Sequence, residues 1–368
     1  MTKLDDDDIA AVLAAGIGVN DPESTVTQYL DTGYPPLNVA MSSRKDGGFP
    51  VKRIVELAGP PSAGKTALAT RAMAAAQKMG GIAGFHDHER SFSTALAPNL
   101  GLNISPARFI FRTPKTFEES LDQFRKAAEL IRGKKLIDPE APLCWVFDSL
   151  ASMVPWSAMY DNKDNVRDAT GRNMNDNTAL ARATSAHMPA LAQQAEEYNA
   201  SIIFLNQIRT KLGVMYGDPR TTPGGEAPKF YASTRIYLGA SQIKDKNTKE
   251  VLGQEVTANV IKNKVARPFL AATWTFAYEP DGTGRFDIER SMIDFLVAEG
   301  VIAKARPGYI LVDGTQYTYA QAAKKYRDEG RTQELINMMP ADYEPPVVAV
   351  AEADMSSIKV AEKEEEAA

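Results

Sequence analysis

The sequence predicts an α/β fold built on a largely parallel, twisted sheet flanked by helices. Two observations carry this. Short apolar runs alternate with segments of helical periodicity, which is the pattern of strand–helix–strand units. The runs Leu143-Cys144-Trp145-Val146-Phe147 and Ser201 to Leu205 are apolar throughout rather than at every second position. Such runs suit strands covered on both faces, as in a parallel sheet.

Taken in order, Asp5 to Ala15 reads as a helix, with acids at its N-terminal end to complement the dipole and Gly16 as a stop. Thr25 to Leu30 is a short β-type segment. Arg53 to Ala58 reads as a strand running directly into a glycine loop. Thr66 to Met79 is an Ala-rich helix closed by Gly80-Gly81, and Ile82 to Phe85 begins the next strand. Phe117 to Arg132 is a helix with one apolar face. Ala179 to Tyr198 is helical in pattern, with Pro189 expected to kink it or end a piece of it. Two long polar stretches interrupt the order, from Trp156 to Asn177 and from Arg209 to Lys229. Loops this long inside a compact domain are functional or disordered. Met292 to Glu299 opens a small helical region, and the Ala-, Glu- and Pro-rich tail beyond Pro340 is expected to be disordered.

Composition narrows the class. Of 368 residues, 44% are apolar and 24% charged, as in soluble globular proteins. No stretch reaches the roughly 18–20 apolar residues of a membrane-spanning helix. The acidic start, Asp5 to Asp8, is unlike a secretory signal, and the single Cys144 permits no internal disulfide. A reducing, cytoplasmic compartment is expected, with Cys144 a buried, inert thiol. The net charge of −5 hides an asymmetry. Residues 205–270 hold eleven Lys or Arg against five acids, whereas residues 341–368 hold eight acids against two lysines. Charge alone leaves open a solvated surface with a solubilising tail.

The chemistry concentrates first in Gly59-Pro60-Pro61-Ser62-Ala63-Gly64-Lys65-Thr66-Ala67. The spacing Gly-x-x-x-x-Gly-Lys-Thr lets the backbone wrap so that its N–H groups face phosphate oxygens. The following helix turns its N-terminal dipole toward the same anion. Lys65 then reaches the β- and γ-phosphates of ATP, and Thr66 can ligate Mg2+. Asp148, closing a buried strand, is suited to hold that Mg2+ directly or through a water, while Ser149 is suited to cap the turn after it. In Phe85-His86-Asp87-His88-Glu89-Arg90, Glu89 is the candidate to orient the attacking water. His86 and His88 alternate onto one face, but three histidines and one cysteine in the whole chain do not complete a transition-metal site. Gln207, ending another strand, can sense the γ-phosphate through its amide and pass the signal into the loop that follows.

Several further runs resemble the bacterial RecA recombinase family. They are Asn206-Gln207-Ile208-Arg209, Gly213-Val214-Met215-Tyr216-Gly217, Thr221-Thr222-Pro223-Gly224-Gly225, Lys229-Phe230-Tyr231-Ala232-Ser233 and Val260 to Phe269. The phosphate loop, Asp87-His88-Glu89-Arg90 and Phe147-Asp148-Ser149 fall in the order that family has. The resemblance covers residues 35 to 283 well and is weaker from Met292 to Met339. It implies a RecA-like ATPase core over 35–283, with DNA-binding loops at about 156–178 and 208–229. Around that core it implies an N-terminal helix and strand for oligomerisation (1–34), a small α+β C-terminal domain (284–340) and an acidic tail (341–368).

The function it implies is that of a DNA-dependent ATPase. Such a protein forms a helical filament on single-stranded DNA and exchanges strands with homologous double-stranded DNA in recombination and repair. By motif, Glu89 is similar to the family's catalytic glutamate and Gln207 to its nucleotide-sensing glutamine. Arg182, Arg209, Lys211, Leu212, Val214, Gly224, Gly225 and Lys229 match DNA-contacting positions. Lys262 and Lys264 resemble the pair that reaches ATP across the subunit interface. Departures are Leu96, where the family carries an aromatic over adenine, His88 and Arg90 beside Glu89, a longer first loop, and Pro228. A ring helicase or other motor of the same core, and an ATP-binding protein that coats single-stranded DNA, are the alternatives.

Overall fold

The structure, a computed structural model, describes residues 25–161, 163, 165–167, 178–210, 220–245, 248–279 and 281–347. The helix expected over 5–15, most of the acidic tail and the centres of both long loops lie outside these residues, and with them Lys211, Leu212 and Val214.

A nine-stranded sheet organises the chain, in the order β13-β12-β11-β10-β3-β7-β6-β4-β5. Six of these strands are mutually parallel: β10 (Thr234–Lys244), β3 (Arg53–Gly59), β7 (Ala200–Gln207), β6 (Leu143–Asp148), β4 (Ile82–Asp87) and β5 (Phe109–Arg112). β11 (Val251–Asn263), β12 (Leu270–Tyr278) and β13 (Gly284–Phe286) extend one edge antiparallel. The strands β1 (Tyr29–Leu30) and β2 (Phe49–Pro50) pair beside it.

The continuous apolar runs follow from burial on both faces. Along β6, Cys144 and Val146 join one core cluster, while Leu143, Trp145 and Phe147 join the other. Along β7, Ile203 and Leu205 face the first cluster, and Ile202 and Phe204 the second. The helix Lys65–Lys78 fills the first face with Leu68, Ala69, Ala72 and Met73, small residues that let it lie close to the strands. The helices Phe117–Gly133 and Ala179–Glu197 cover the second. There Phe147 stacks on Phe204 at 4.8 Å between centroids, and Phe124 meets Trp145 edge-on.

Thr116 starts its helix by accepting the Glu119 N–H on its hydroxyl, with Glu118 and Glu119 in the first turn. Pro189 does not end its helix, which runs unbroken from Ala179 to Glu197. Met188 and Leu191, both fully buried on either side of it, hold the segment on the sheet against the lost hydrogen bond. Past the sheet, the helix Ile288–Ala298 leads into a three-stranded antiparallel sheet (β14 Lys304–Arg306, β15 Tyr309–Val312, β16 Thr315–Thr318) and two further helices. Thr318 and Gln321 form a reciprocal capping box at the first of these. Met292, Ile310 and Leu335 from this segment belong to the first core cluster. No helix among the described residues is long and apolar enough to cross a membrane.

One buried ion pair crosses the centre of the sheet. Glu56 of β3, 1% exposed, accepts a hydrogen bond from Arg235 Nε of β10 at 2.6 Å. Its other oxygen accepts from Asn206 Nδ2 of β7 at 2.8 Å. Removing one partner leaves an uncompensated buried charge. Arg235→Met is therefore expected to cost about 3–5 kcal/mol in urea unfolding. Glu56→Met combined with Arg235→Met should recover part of that loss.

Candidate active site

Four parallel strands bring their polar ends to one edge of the sheet. Gly59, ending β3, is level with Gln207 at the end of β7, and Asp87, ending β4, is level with Asp148 at the end of β6. The carboxyl ends of strands in an open α/β sheet are where such folds bind ligands. At Gly59 only a hydrogen fits, because a Cβ would stand 2.7 Å from the Leu238 carbonyl oxygen of β10. The chain then turns through Pro60, Pro61 and Ser62, exposed at the tip, while Ala63 and Ala67 pack beneath. Gly64 precedes the helix, whose first turn has no side-chain cap for its free N–H groups.

Lys65 Nζ donates to the carbonyls of Gly59 (3.0 Å) and Pro60 (2.8 Å). Burial lowers the ammonium below its ordinary range, against the pull of the Asp148 and Glu89 carboxylates. Thr66 Oγ1 donates to Asp148 Oδ2 at 3.2 Å. Asp148 is 2% exposed, and burial, reinforced by the Glu89 carboxylate, pushes its pKa up to about 7. A buried carboxylate beside a hydroxyl, short of positive charge, is an oxygen donor set that suits a hard divalent cation such as Mg2+.

Glu89 is held by three donors on one oxygen. Its Oε1 accepts from Gln207 Nε2 at 2.7 Å, from Ser152 Oγ at 3.3 Å and, in a short bond, from Ser149 Oγ. Among the described residues no hydrogen bond engages Oε2. The segment carrying Glu89 is tied down by the His88 and Glu89 N–H groups, both donating to the Asp148 carbonyl. His88 Nε2 lies 2.6 Å from Ser120 Oγ, which links this segment to the helix Phe117–Gly133. His86 is buried edge-on between Trp145 and Phe147, and burial pulls its pKa down to about 3. Among the described residues, no cluster of His, Cys, Asp or Glu has metal-binding geometry.

The serines are what sequence reasoning missed. Ser149 makes no capping bond, because its hydroxyl goes to Glu89 instead. No residue pattern announces this, since the partner lies sixty positions away.

The sequence pattern of the RecA N-terminal domain matches residues 14–282 of this chain. The chain belongs to the RecA family. It is 38% identical over 256 residues to Protein RecA of Streptococcus equi subspecies zooepidemicus, covering 68% of this chain and 61% of that relative's length. It is 36% identical over 306 residues to Protein RecA of Streptococcus pneumoniae, covering 82% and 72% respectively.

The remaining expected residues of this RecA-family chain lie on other elements. Arg209 is exposed where the second polar stretch leaves β7, and the stretch returns by pairing Arg209 with Thr221. Gly224 and Gly225 both have positive φ and face inward, where a Cβ would lie 2.8 Å from Leu150 and from Ala181 respectively. Thr184 Oγ1 donates to the Gly224 carbonyl at 2.7 Å, docking the base of this loop on the helix that presents Arg182 at its surface. Lys229 Nζ pairs with Glu226 at 3.0 Å. Leu96 is half-buried against the first core cluster.

Lys262 and Lys264 do not join the phosphate loop. Lys262 is paired in register with Arg235, and that residue with Glu56, at mid-height of the sheet and two strands away from β3. Lys262 Nζ donates to the carbonyls of Lys229 and Phe230. Burial, with Lys264 and Arg235 adding repulsion, pulls its pKa down to about 8. Lys264 Nζ stands 5.3 Å from the centre of the exposed Phe230 ring.

The raised pKa of Asp148 makes stability depend on pH. The folded chain keeps this proton longer than the unfolded chain, so the associated stability is full below the ordinary 3.8 and is lost as pH rises through about 7. In nucleotide-free protein, Asp148→Asn should therefore raise the urea midpoint at about pH 8, with the gain shrinking steadily toward about pH 4.

Proposed function

We propose that this chain is a DNA-dependent ATPase that assembles as a filament on single-stranded DNA and drives homologous pairing and strand exchange. The hydrogen bond from Gln207 to Glu89 carries this reading. It joins the residue suited to activate water with the residue that opens the basic loop, so nucleotide state and loop position share one contact. A nucleotide phosphate chain would lie against the N–H groups of the phosphate loop and Lys65. Thr66 and Asp148 would hold Mg2+, whose charge offsets that of the phosphates. Glu89 Oε1, which Ser149 and Ser152 would still hold once Gln207 turns to the phosphate, leaves Oε2 to take the proton of the attacking water.

When a γ-phosphate competes for the Gln207 amide, Gln207 exchanges its bond to Glu89 for one to the phosphate. The backbone of β8 (Arg209–Thr210) follows directly, and with it Arg209, Lys211, Leu212 and Val214 of the DNA loop. The position of Lys262 and Lys264 far from their own phosphate loop supports their serving the nucleotide of an adjacent copy, which a filament provides. The basic stretch from 205 to 270 supplies the phosphate contacts that bind DNA without reading its sequence.

The test is ATP hydrolysis with and without single-stranded DNA, followed by joint-molecule formation with homologous duplex. Glu89→Gln should bind nucleotide normally yet lose about 10²–10⁴-fold in DNA-stimulated turnover. A wild-type chain that hydrolyses ATP on DNA, yet unwinds duplex as closed rings and never forms joint molecules, would overturn the recombinase reading.

A further inference from the structure

Glu89 sits in a tight turn just past the end of β4, and several bonds fix that turn. The N–H groups of His88 and Glu89 share the Asp148 carbonyl, at 2.6 and 3.2 Å. The Asp87 carboxylate accepts the Ser91 and Phe92 N–H groups, at 3.2 and 3.1 Å. These bonds tie the turn to β6 and to itself. Toward the helix Phe117–Gly133, a single hydrogen bond holds it among the described residues. It joins His88 Nε2 and Ser120 Oγ at 2.6 Å.

Ser120 is a firm anchor. It is fully buried in the first turn of its helix, and its neighbours Phe117, Leu121 and Phe124 belong to the second core cluster. The same turn holds the segment that leaves β6. Phe117 N donates to the Val154 carbonyl at 2.9 Å, and Glu118 Oε2 accepts the Trp156 N–H at 2.7 Å. That segment in turn reaches Glu89, since Ser149 and Ser152 both donate to its Oε1. The contacts therefore close a ring, from Glu89 to Ser152, from Val154 to Phe117, and from Ser120 to His88 beside Glu89. In this ring the serines fix the carboxylate, and His88 fixes the backbone that carries it.

We infer that His88 is a positioning residue for ATP hydrolysis, holding the backbone of Glu89 against Ser120 so that Oε2 keeps its place toward the attacking water. The inference rests on the reading of Glu89 as the residue that activates water. It assigns a role to one of the residues in which this chain departs from the family. The His88 ring is committed to Ser120, so its effect on the reaction passes through Glu89. Misplacing a reacting group by about 1 Å costs about 100-fold in rate, which makes such a distant bond matter.

The test compares full-length Ser120→Ala, His88→Ala and His88→Gln with the unaltered protein. ATP hydrolysis is followed on oligo(dT), together with oligo(dT) affinity by anisotropy and the melting temperature. Ser120→Ala and His88→Ala should each lower kcat about 10- to 100-fold, with KM for ATP and DNA affinity unchanged. The two changes combined should fall no further than either alone, because each removes the same bond. His88→Gln, whose amide can bond to Ser120, should recover most of the turnover. The deciding comparison is made in Glu89→Gln protein by single-turnover hydrolysis of labelled ATP. There His88→Ala should cost nothing more, since the carboxylate through which it acts is already gone.

Unchanged kcat in Ser120→Ala and His88→Ala would overturn the inference. So would a raised KM at constant kcat, or a further loss from His88→Ala in the Glu89→Gln background, which would make the ring a general support of the fold. Ser120→Ala removes one buried oxygen only, and it carries the test if His88→Ala does not fold. Full turnover by Glu89→Gln itself would remove the reading of Glu89, and the role of His88 with it.

Discussion

A carboxylate buried at the centre of a sheet has to be compensated in place, and at Glu56 that requirement fixes the neighbourhood of the phosphate loop. Arg235 answers it from β10 and Asn206 from β7, the strands on either side of β3. Asn206 has a second donor hydrogen, which goes to the Pro223 carbonyl at the return of the long loop, and its own oxygen receives the Gln207 N–H. One dry polar chain thus sets the register of three strands and anchors both ends of that loop. In low dielectric such a network holds its geometry because any loosened member is left unsatisfied.

The carboxyl edge above this network is short of positive charge. Asp148, Glu89 and Asp87 gather there, with Lys65 the cation that opposes them. Burial keeps Asp148 reluctant to ionise until a cation arrives, which ties occupancy of the site to its electrostatic relaxation. Glu89 is oriented by three donors from three different positions in the chain, so its geometry depends on β6, β7 and the turn after β6 remaining in step.

Much of this was legible in the sequence. The strands β6 and β7 were marked by unbroken apolar runs, β3 and β4 by their places before the glycine loop and after the Ala-rich helix, and the phosphate loop by its spacing between a strand and a helix. Asp148 and Gln207 could be placed at one edge because each ends such a strand, and Glu89 because it follows the end of β4 by two residues. The antiparallel extension β11–β13 was harder to read. Only one face of it is packed, and its alternation of polar and apolar residues, as in the Leu270–Tyr278 strand, resembles an ordinary exposed segment. Pro189 misled because propensity is local, whereas the packing of Met188 and Leu191 is not. The partnership of Ser149 with Glu89, and of Glu56 with Arg235, joins residues 60 and 179 positions apart. No spacing rule reaches that far.

The separation of Lys262 and Lys264 from their own phosphate loop has a consequence for inheritance. If those lysines serve the next copy, a chain altered there would keep its own nucleotide chemistry and impair that of its neighbour. In a cell holding both forms, the defect would spread through mixed assemblies out of proportion to the altered fraction, and the altered allele would behave as dominant. A lesion confined to Glu89 would stay with the copy that bears it.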